Sequence, residues 1–184
     1  MNKTYFSYAD IEGHTQEILR QMAQDKWVPD YVVGLTRGGL LPAVLLSHYL
    51  GVPMETLKVS MRDHAENESN LWMATDAFGY IDEGARDPSG TRYDPTMRKN
   101  ILIVDDINDT GATLNWIKED WRDSCLPDNP AWAGVWGKNV RVAVLVDNTA
   151  SEFKDTNYVG KYINKHEKSE WIIFPYENWW TTND

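Results

Sequence analysis

The chain has 184 residues, which suits one domain able to bury a core of its own, so we expect a single domain over residues 1–184. Acidic residues outnumber basic ones by 28 to 18, and the formal charge of −10 disfavours broad attraction to nucleic acid or anionic lipid. One cysteine, no signal-peptide pattern and no apolar stretch of about 20 residues predict a cytoplasmic protein that binds neither nucleic acid nor a membrane.

Helices and short apolar strands alternate in the first part of the chain. The first element is a helix that Ser7 can cap and that ends before Pro29. A buried strand at 31–35 leads through a tight turn into a helix at 40–50, and another strand is predicted at 56–61. The apolar face of the first helix is formed by Ile11, Ile18, Leu19 and Met22.

A long, weakly patterned segment at 62–99 comes next, and its length predicts a loop that covers a site as a lid. The clearest buried strand is 101–104, and a helical pattern follows it; further strands are predicted at 140–146 and 170–175. We therefore predict an α/β fold, with a parallel sheet flanked by helices and a ligand crevice outside the carboxyl ends of the strands. The helical pattern consists of Leu114, Ile117 and Trp121.

Two turns rich in small residues follow two of these strands. The first glycine turn consists of Thr36, Arg37, Gly38 and Gly39. The second glycine turn consists of Asp109, Thr110, Gly111, Ala112 and Thr113. Backbone amides, threonine hydroxyls and a helix N-terminus can hold a phosphate at the second turn, and the guanidinium of the first can clamp another anion. Together they predict a sugar substrate with phosphate groups at both ends.

Asp105 and Asp106 lie between the strand at 101–104 and the second glycine turn. Two neighbouring carboxylates suit the two hydroxyls of a ribose as hydrogen-bond acceptors. They can also orient the water shell of Mg²⁺, which commonly takes one or two carboxylates alongside phosphate oxygens. We therefore expect Mg²⁺ as the cofactor, with these two residues at the metal.

Each motif also has a simpler interpretation. Two aspartates after a strand are often a solvated loop, and an R-G-G sequence is often an ordinary turn. The D-T-G-A sequence at 109–112 also matches aspartic proteases, but polar Asn108 precedes it here and a helical pattern follows. The complete order of strand, acids, turn and helix favours the sugar phosphate.

The segment ILIVDDINDTGAT (101–113) resembles the PRPP-binding motif of the type I phosphoribosyltransferases. VVGLTRGGLLPAVLLSHYLGV (32–52) and SEWIIFPYE (169–177) also have counterparts there, so the resemblance covers nearly the whole chain. It looks closest to the bacterial xanthine-guanine and hypoxanthine enzymes. The resemblance implies the fold of that family, with a small C-terminal hood at about 148–184 that binds the base.

The resemblance also implies a role for each motif. Asp105 and Asp106 hold the ribose, and Asp109 lies near N7 of the base as the proton acceptor. The second glycine turn takes the 5'-phosphate, whereas the first, often with a non-proline cis peptide, takes pyrophosphate. Trp171 stacks on the base, and Ile172 offers it main-chain contacts; a core position is the alternative for the tryptophan.

Several basic residues are further candidates for the polyphosphate. Lys58 matches a position of the family that touches the pyrophosphate side, and a solvated strand-end lysine is its alternative. The arginines of the 62–99 segment could help to neutralise the polyphosphate, although solvated side chains are the simpler expectation. They are Arg62, Arg86, Arg92 and Arg98.

One position departs from the family. Relatives that take 6-oxopurines carry a lysine at the end of the strand matching 140–146, and Asp147 stands there in this chain. An ionised carboxylate only accepts hydrogen bonds, so it favours an amino group over a keto oxygen. Either Lys154 or Lys161 reaches the base from the following loop, or the base differs from xanthine, guanine and hypoxanthine.

The predicted function is therefore transfer of the 5-phosphoribosyl group from PRPP to a nucleobase, with a 6-oxopurine as the leading candidate and Mg²⁺ as the cofactor. The alternative is a regulator of the same fold that binds PRPP without catalysis. The resemblance further implies a homo-oligomer, either a dimer or a tetramer.

Overall fold

A five-stranded parallel sheet, the main sheet, forms the centre of the computed structural model, which describes residues 2–59, 61, 67–81 and 92–181. Its strands are β2 (Tyr31–Thr36), β3 (Met54–Lys58), β4 (Ile101–Asn108), β5 (Val140–Asn148) and β6 (Tyr158–Ile163). They are arranged in the order β3-β2-β4-β5-β6, and every neighbouring pair is parallel. Their carboxyl ends therefore lie along one edge, where ligands bind in sheets of this type.

Helices cover both faces of the main sheet. They are α1 (Tyr8–Asp25), α2 (Leu40–Leu50), α3 (Leu71–Phe78) and α4 (Ala112–Ser124). The apolar side chains of α1 and α2 pack in one buried cluster, and those of α3 and α4 pack in another. A parallel sheet covered on both faces explains why β2, β4 and β5 read as continuous apolar runs.

The first two predicted helices are confirmed. The amide of Asp10 donates to Ser7 Oγ at the start of α1, and the amide of Ser7 donates to the Asp10 carboxylate, which completes a capping box. The helix α2 ends at Gly51, whose φ of 67° lies in the left-handed region that glycine tolerates.

A second, smaller sheet joins the two ends of the sequence. It consists of β1 (Asn2–Tyr5) and β7 (Glu170–Ile173), which run parallel with Thr4 opposite Ile172. A segment of turns follows β7, and we call residues 174–181 the C-terminal segment. Phe6 and Phe174 join the cluster that holds α1 and α2, so the small sheet is packed against that face of the protein.

The structure corrects the sequence expectation for several elements. The strand predicted at 56–61 is β3, which begins at Met54 and ends at Lys58 because it pairs with β2 from Val32 to Thr36. The strands β1 and β6 were not predicted. Because β6 is the edge strand of the main sheet, the hood expected at 148–184 is limited to the small sheet and the C-terminal segment.

The segment at 62–99 is not the continuous loop that the sequence suggested. It contains α3, which Asn70 caps and which buries Met73, Ala74, Ala77 and Phe78 in the core. Residues 62–66 and 82–91 lie outside the described part of the chain, so a lid there stays a prediction. Among the described helices, none is both long and apolar enough to cross a membrane.

Candidate active site

Both glycine turns open into one cleft at the carboxyl edge of the main sheet. The first follows β2 and the second follows β4, and these strands are neighbours in the sheet. The cleft has a volume of about 1210 Å³. The first turn contributes Thr36, Arg37 and Gly38 to its lining, and the second contributes all five of its residues. Lys58, Asp105 and Asp106 also line it.

The first glycine turn lies directly on β4, and this contact requires its glycines. A Cβ at Gly38 would overlap the carboxylate of Asp106. A Cβ at Gly39 would meet the backbone oxygen of Val104. The missing side chains therefore allow the turn to approach the acidic end of β4 closely.

Arg37 is the exposed residue of the first glycine turn, and it lines the cleft. The Thr36–Arg37 peptide is cis, as the family resemblance implied. On the neighbouring strand, Lys58 is also exposed at the cleft. This end of the cleft therefore carries two cations, which suits a polyanionic group.

The second glycine turn packs on the residues that follow β5. Gly111 has a φ of 89°, and a Cβ there would meet the backbone of Phe153 and the hydroxyl of Ser151. The amide of Glu152 donates to the carbonyl of Thr110 at 2.9 Å. Helix α4 begins directly after Gly111, so the positive end of its dipole points to the cleft beside the turn.

The two acids of β4 lie between the turns, and each is partly buried. The amide of Asp106 donates to Asp105 Oδ1 at 2.9 Å. Burial raises the pKa of Asp106, and the hydroxyl of Tyr176, 3.1 Å from Asp106 Oδ2, opposes this rise. Tyr176 belongs to the C-terminal segment and was not among the predicted site residues.

Asp109 is paired with a lysine that the sequence analysis missed. Lys165 Nζ lies 2.8 Å from Asp109 Oδ1, and both side chains are about four-fifths buried, with 21% and 20% of their surfaces exposed. Asn148 holds the backbone of both residues: its Nδ2 donates to the backbone oxygen of Asp109 at 2.9 Å, and its Oδ1 accepts from the amide of Lys165. We call the pair of Asp109 and Lys165, with Asn148, the Asp109 corner.

The two lysines expected to reach the base, Lys154 and Lys161, do not line the cleft. Lys154 Nζ donates to the carbonyl of Thr149, and Lys161 Nζ lies 5.5 Å from the ring centre of Phe6. The expectation is therefore wrong for both residues. Lys165, in the turn between β6 and β7, lies beside Asp109 instead.

Asp147 is buried rather than presented to the cleft. Its Oδ1 accepts from Asn108 Nδ2 at 2.7 Å, and its Oδ2 accepts from the Thr156 hydroxyl at 3.3 Å. Ser151 completes this buried polar cluster by donating to Asn108 Oδ1 at 2.8 Å. The expectation that Asp147 binds the base is corrected, because its carboxylate is used to hold the residue before the second glycine turn.

Trp171 and Ile172, both described, are not among the residues that line the cleft. Trp171 is 41% exposed on β7, and Lys165 Nζ lies 5.8 Å from its ring centre. Its indole is thus adjacent to the Asp109 corner, whereas the side chain of Ile172 is buried. The C-terminal segment places Trp179 and Trp180 at the cleft, and the sequence analysis did not single them out.

The arginines of the 62–99 segment are not gathered at the cleft where they are described. Arg98 donates to the carbonyls of Phe78, Ala131 and Gly134, and Arg92 donates to the Tyr80 hydroxyl. Both therefore hold the fold around α3. The other two, Arg62 and Arg86, lie outside the described residues.

The donor set at the cleft fits a magnesium ion that is shared with a ligand. Among the described residues, no group of three or more His, Cys, Asp and Glu side chains is arranged to hold a metal alone. Asp105 and Asp106 supply neighbouring oxygen donors, and Mg²⁺ usually completes its shell with water and substrate phosphate.

Comparison with known proteins finds phosphoribosyltransferases among the relatives of this chain. The xanthine-guanine phosphoribosyltransferase of Idiomarina loihiensis is 27% identical over 178 residues, covering 96% of this chain and 88% of that protein. The hypoxanthine-guanine phosphoribosyltransferase of Schizosaccharomyces pombe is 21% identical, covering 95% of this chain and 89% of its own.

Solved structures show the same fold. A purine phosphoribosyltransferase from Pyrococcus horikoshii superposes over both whole chains with a TM-score of 0.61 at 22% identity. The xanthine-guanine-hypoxanthine phosphoribosyltransferase of Helicobacter pylori also gives a TM-score of 0.61, at 20% identity and over 96% of this chain and 95% of that one. The phosphoribosyl transferase domain family itself matches residues 3–178, so the chain belongs to that family.

Proposed function

We propose that this protein transfers the 5-phosphoribosyl group of PRPP to a 6-oxopurine, giving a nucleoside 5'-monophosphate and pyrophosphate. The observation that carries the proposal is the opening of both glycine turns into one cleft, with Asp105 and Asp106 between them. A sugar with a phosphate at one end and pyrophosphate at the other matches that order of groups. The names of two relatives, a xanthine-guanine and a hypoxanthine-guanine phosphoribosyltransferase, support the choice of base.

The two ends of PRPP would bind to different turns. The 5'-phosphate lies at the second glycine turn, where the start of α4 and the threonine hydroxyls face the cleft. The pyrophosphate lies at the first glycine turn, beside Arg37 and Lys58. The ribose hydroxyls then donate to Asp105 and Asp106.

In the reaction, N9 of the purine forms a bond to C1 of the ribose while the bond from C1 to the pyrophosphate oxygen breaks. The ribose passes through an oxocarbenium-like state, as in glycoside cleavage. Arg37 stabilises the charge that develops on the leaving group, and Asp109 accepts the proton from N7 of the base. When bound, Mg²⁺ held by Asp105 and Asp106 with substrate oxygens would neutralise part of the pyrophosphate charge.

Lys165 supports a 6-oxopurine over adenine. The 6-oxo oxygen and N7 lie on the same edge of a purine, so a base whose N7 faces Asp109 places its position 6 near Lys165. An ammonium group only donates hydrogen bonds, and one of its three protons is used by Asp109. A keto oxygen can accept another, whereas the amino group of adenine cannot.

The test is a panel of nucleobases incubated with PRPP and Mg²⁺, with release of pyrophosphate as the readout. We expect turnover with hypoxanthine, guanine or xanthine, and at least about 100-fold lower kcat/KM with adenine, because an unpaired buried donor discriminates strongly. Lys165→Met should lower kcat/KM for the 6-oxopurine by about 10- to 100-fold, since a hydrogen bond to a charged group is lost.

Lys154→Met is the matched control, because that lysine lies on a neighbouring segment and donates to a backbone carbonyl. It should leave base preference unchanged. PRPP binding without turnover on any purine, pyrimidine or nicotinate would replace the proposal with a PRPP-binding regulator of the same fold. A cytoplasmic location and a dimer or tetramer stay predictions.

A further inference from the structure

Tyr176 contacts two parts of the cleft at once. Its hydroxyl oxygen lies 3.1 Å from the backbone oxygen of Gly38 and 3.1 Å from Asp106 Oδ2. The first acceptor belongs to the first glycine turn, and the second belongs to the acidic end of β4. The tyrosine itself comes from the C-terminal segment, at the far end of the sequence.

The tyrosine ring packs in a row with aromatic residues that directly follow the two strands of the small sheet. It stacks on Phe174 with the ring centres 5.5 Å apart and the planes at 3°. Phe174 in turn packs edge-on against Phe6, which follows β1, with the ring centres 5.6 Å apart. The position of the hydroxyl is therefore set by packing, which limits its freedom to follow a displaced turn.

The hydroxyl acts as a donor at this site. Both neighbours accept hydrogen bonds, so its one proton is shared between them or alternates from one to the other. A backbone carbonyl carries no proton, so the hydroxyl is the donor in its contact with Gly38.

The contact fixes a peptide plane of the first glycine turn. The Gly38 carbonyl accepts from Tyr176, and the amide of the same peptide unit, on Gly39, donates to the Leu35 carbonyl at 3.0 Å. Because both ends of the unit are bonded, the turn has one orientation relative to β2. Arg37 immediately precedes this unit, so its direction depends on the same two bonds.

We propose that Tyr176 is a positioning residue that holds the first glycine turn and Asp106 in register for PRPP. The inference rests on the proposed function. When a ribose hydroxyl donates to Asp106, that carboxylate gains a replacement donor, and the Tyr176 hydroxyl can donate its hydrogen bond to the Gly38 carbonyl alone. The first glycine turn therefore keeps its hydrogen bond to Tyr176 when PRPP binds.

Tyr176→Phe removes only the oxygen and keeps the packing on Phe174. We expect the KM for PRPP to rise about 10-fold, with kcat and the KM for the base within about 2-fold of wild type, since one partly buried hydrogen bond on the PRPP side is lost. A merely structural role in the small sheet, which also carries Trp171, would change the KM for the base at least as much. That result, or an unchanged KM for PRPP, would overturn the inference.

Tyr5→Phe is the matched control, because Tyr5 lies on β1 of the small sheet and is 59% exposed. It should leave both KM values at their wild-type level. Calorimetric titration with PRPP and Mg²⁺ separates the two proposals. Wild type that binds no PRPP overturns the proposed function and this inference with it. Wild type and Tyr176→Phe that bind PRPP equally well overturn only the inference.

Discussion

The two glycine turns follow neighbouring parallel strands, yet they are supported in different ways. The second is held by residues of the main sheet, since Gly111 packs on the loop after β5 and Asn108 is bonded to Asp147. The first rests on β4 from one side and is bonded by Tyr176 of the C-terminal segment from the other. One turn is therefore supported within the main sheet, whereas the other depends on a contact between the sheet and the hood.

The difference shows which features of the two turns follow from the local sequence and which depend on residues remote in sequence. The order of strand, acids, glycine and threonine accounts for the local shape of the second turn. In the first turn the glycines account for the close approach to β4, but the hydrogen bond that fixes the turn comes from a residue remote in sequence. Perturbing the shared acids, the first turn and the support of the second turn should give effects of decreasing size.

The shared acids should give the largest effect. Replacing Asp105 and Asp106 together with asparagine removes both carboxylates from between the turns. We expect turnover to fall on the order of 10³-fold, because under the proposed function the ribose hydroxyls lose their charged hydrogen-bond acceptors and Mg²⁺ loses its carboxylate ligands. The measurement is pyrophosphate release at saturating PRPP, with circular dichroism to check the fold. Nucleotide synthesis at the wild-type rate would remove these residues from the mechanism.

Arg37→Met tests the first turn alone. The affinity for inorganic pyrophosphate should fall about 100-fold, because a bidentate guanidinium contact is lost, while the affinity for the nucleoside 5'-monophosphate should stay within about 3-fold. Calorimetric titration measures both. Arg20→Met is the control, since Arg20 is a surface residue of α1 paired with Glu17. Equal losses for the two ligands would contradict separate anion sites.

Asp147→Ala tests the support beneath the second turn. The free energy of unfolding should fall by about 1–3 kcal/mol, because the buried amide of Asn108 loses a partner. Asp155→Ala removes a carboxylate from an exposed ion pair with Lys118 and should cost less than about 1 kcal/mol. Urea unfolding measures both values. A changed base preference in Asp147→Ala would instead return this residue to the base site.

The parts of the fold that the sequence predicted are those with strong local patterns. The continuous apolar run before Asp105 and the helical spacing after Gly111 identify β4 and α4 without any knowledge of their neighbours. The strands β1 and β6 lack such a pattern. Residues 2–5 are polar and mostly exposed, and β6 is an edge strand whose Lys161 and Tyr162 face solvent.

The errors at the candidate site have the same cause, because the contacts involved depend on strands that no local pattern predicts. Lys165 meets Asp109 only because β6 pairs with β5 and returns the chain to the cleft, so a missed strand meant a missed lysine. The family resemblance places Asp147 where relatives carry a base-binding lysine, but a resemblance in sequence does not give the direction of the side chain. Its burial depends on hydrogen bonds to Asn108 and Thr156, which no local spacing reveals.

The parallel pairing of β1 with β7 also bears on how the protein folds during synthesis. The strand β1 is synthesised before the other described strands, and its partner β7 is synthesised after them. The α/β core can condense earlier from contacts closer in sequence, whereas the hood must wait, since pairing between distant segments is slow. A nascent chain would therefore form the second glycine turn before Tyr176 is available to bond the first.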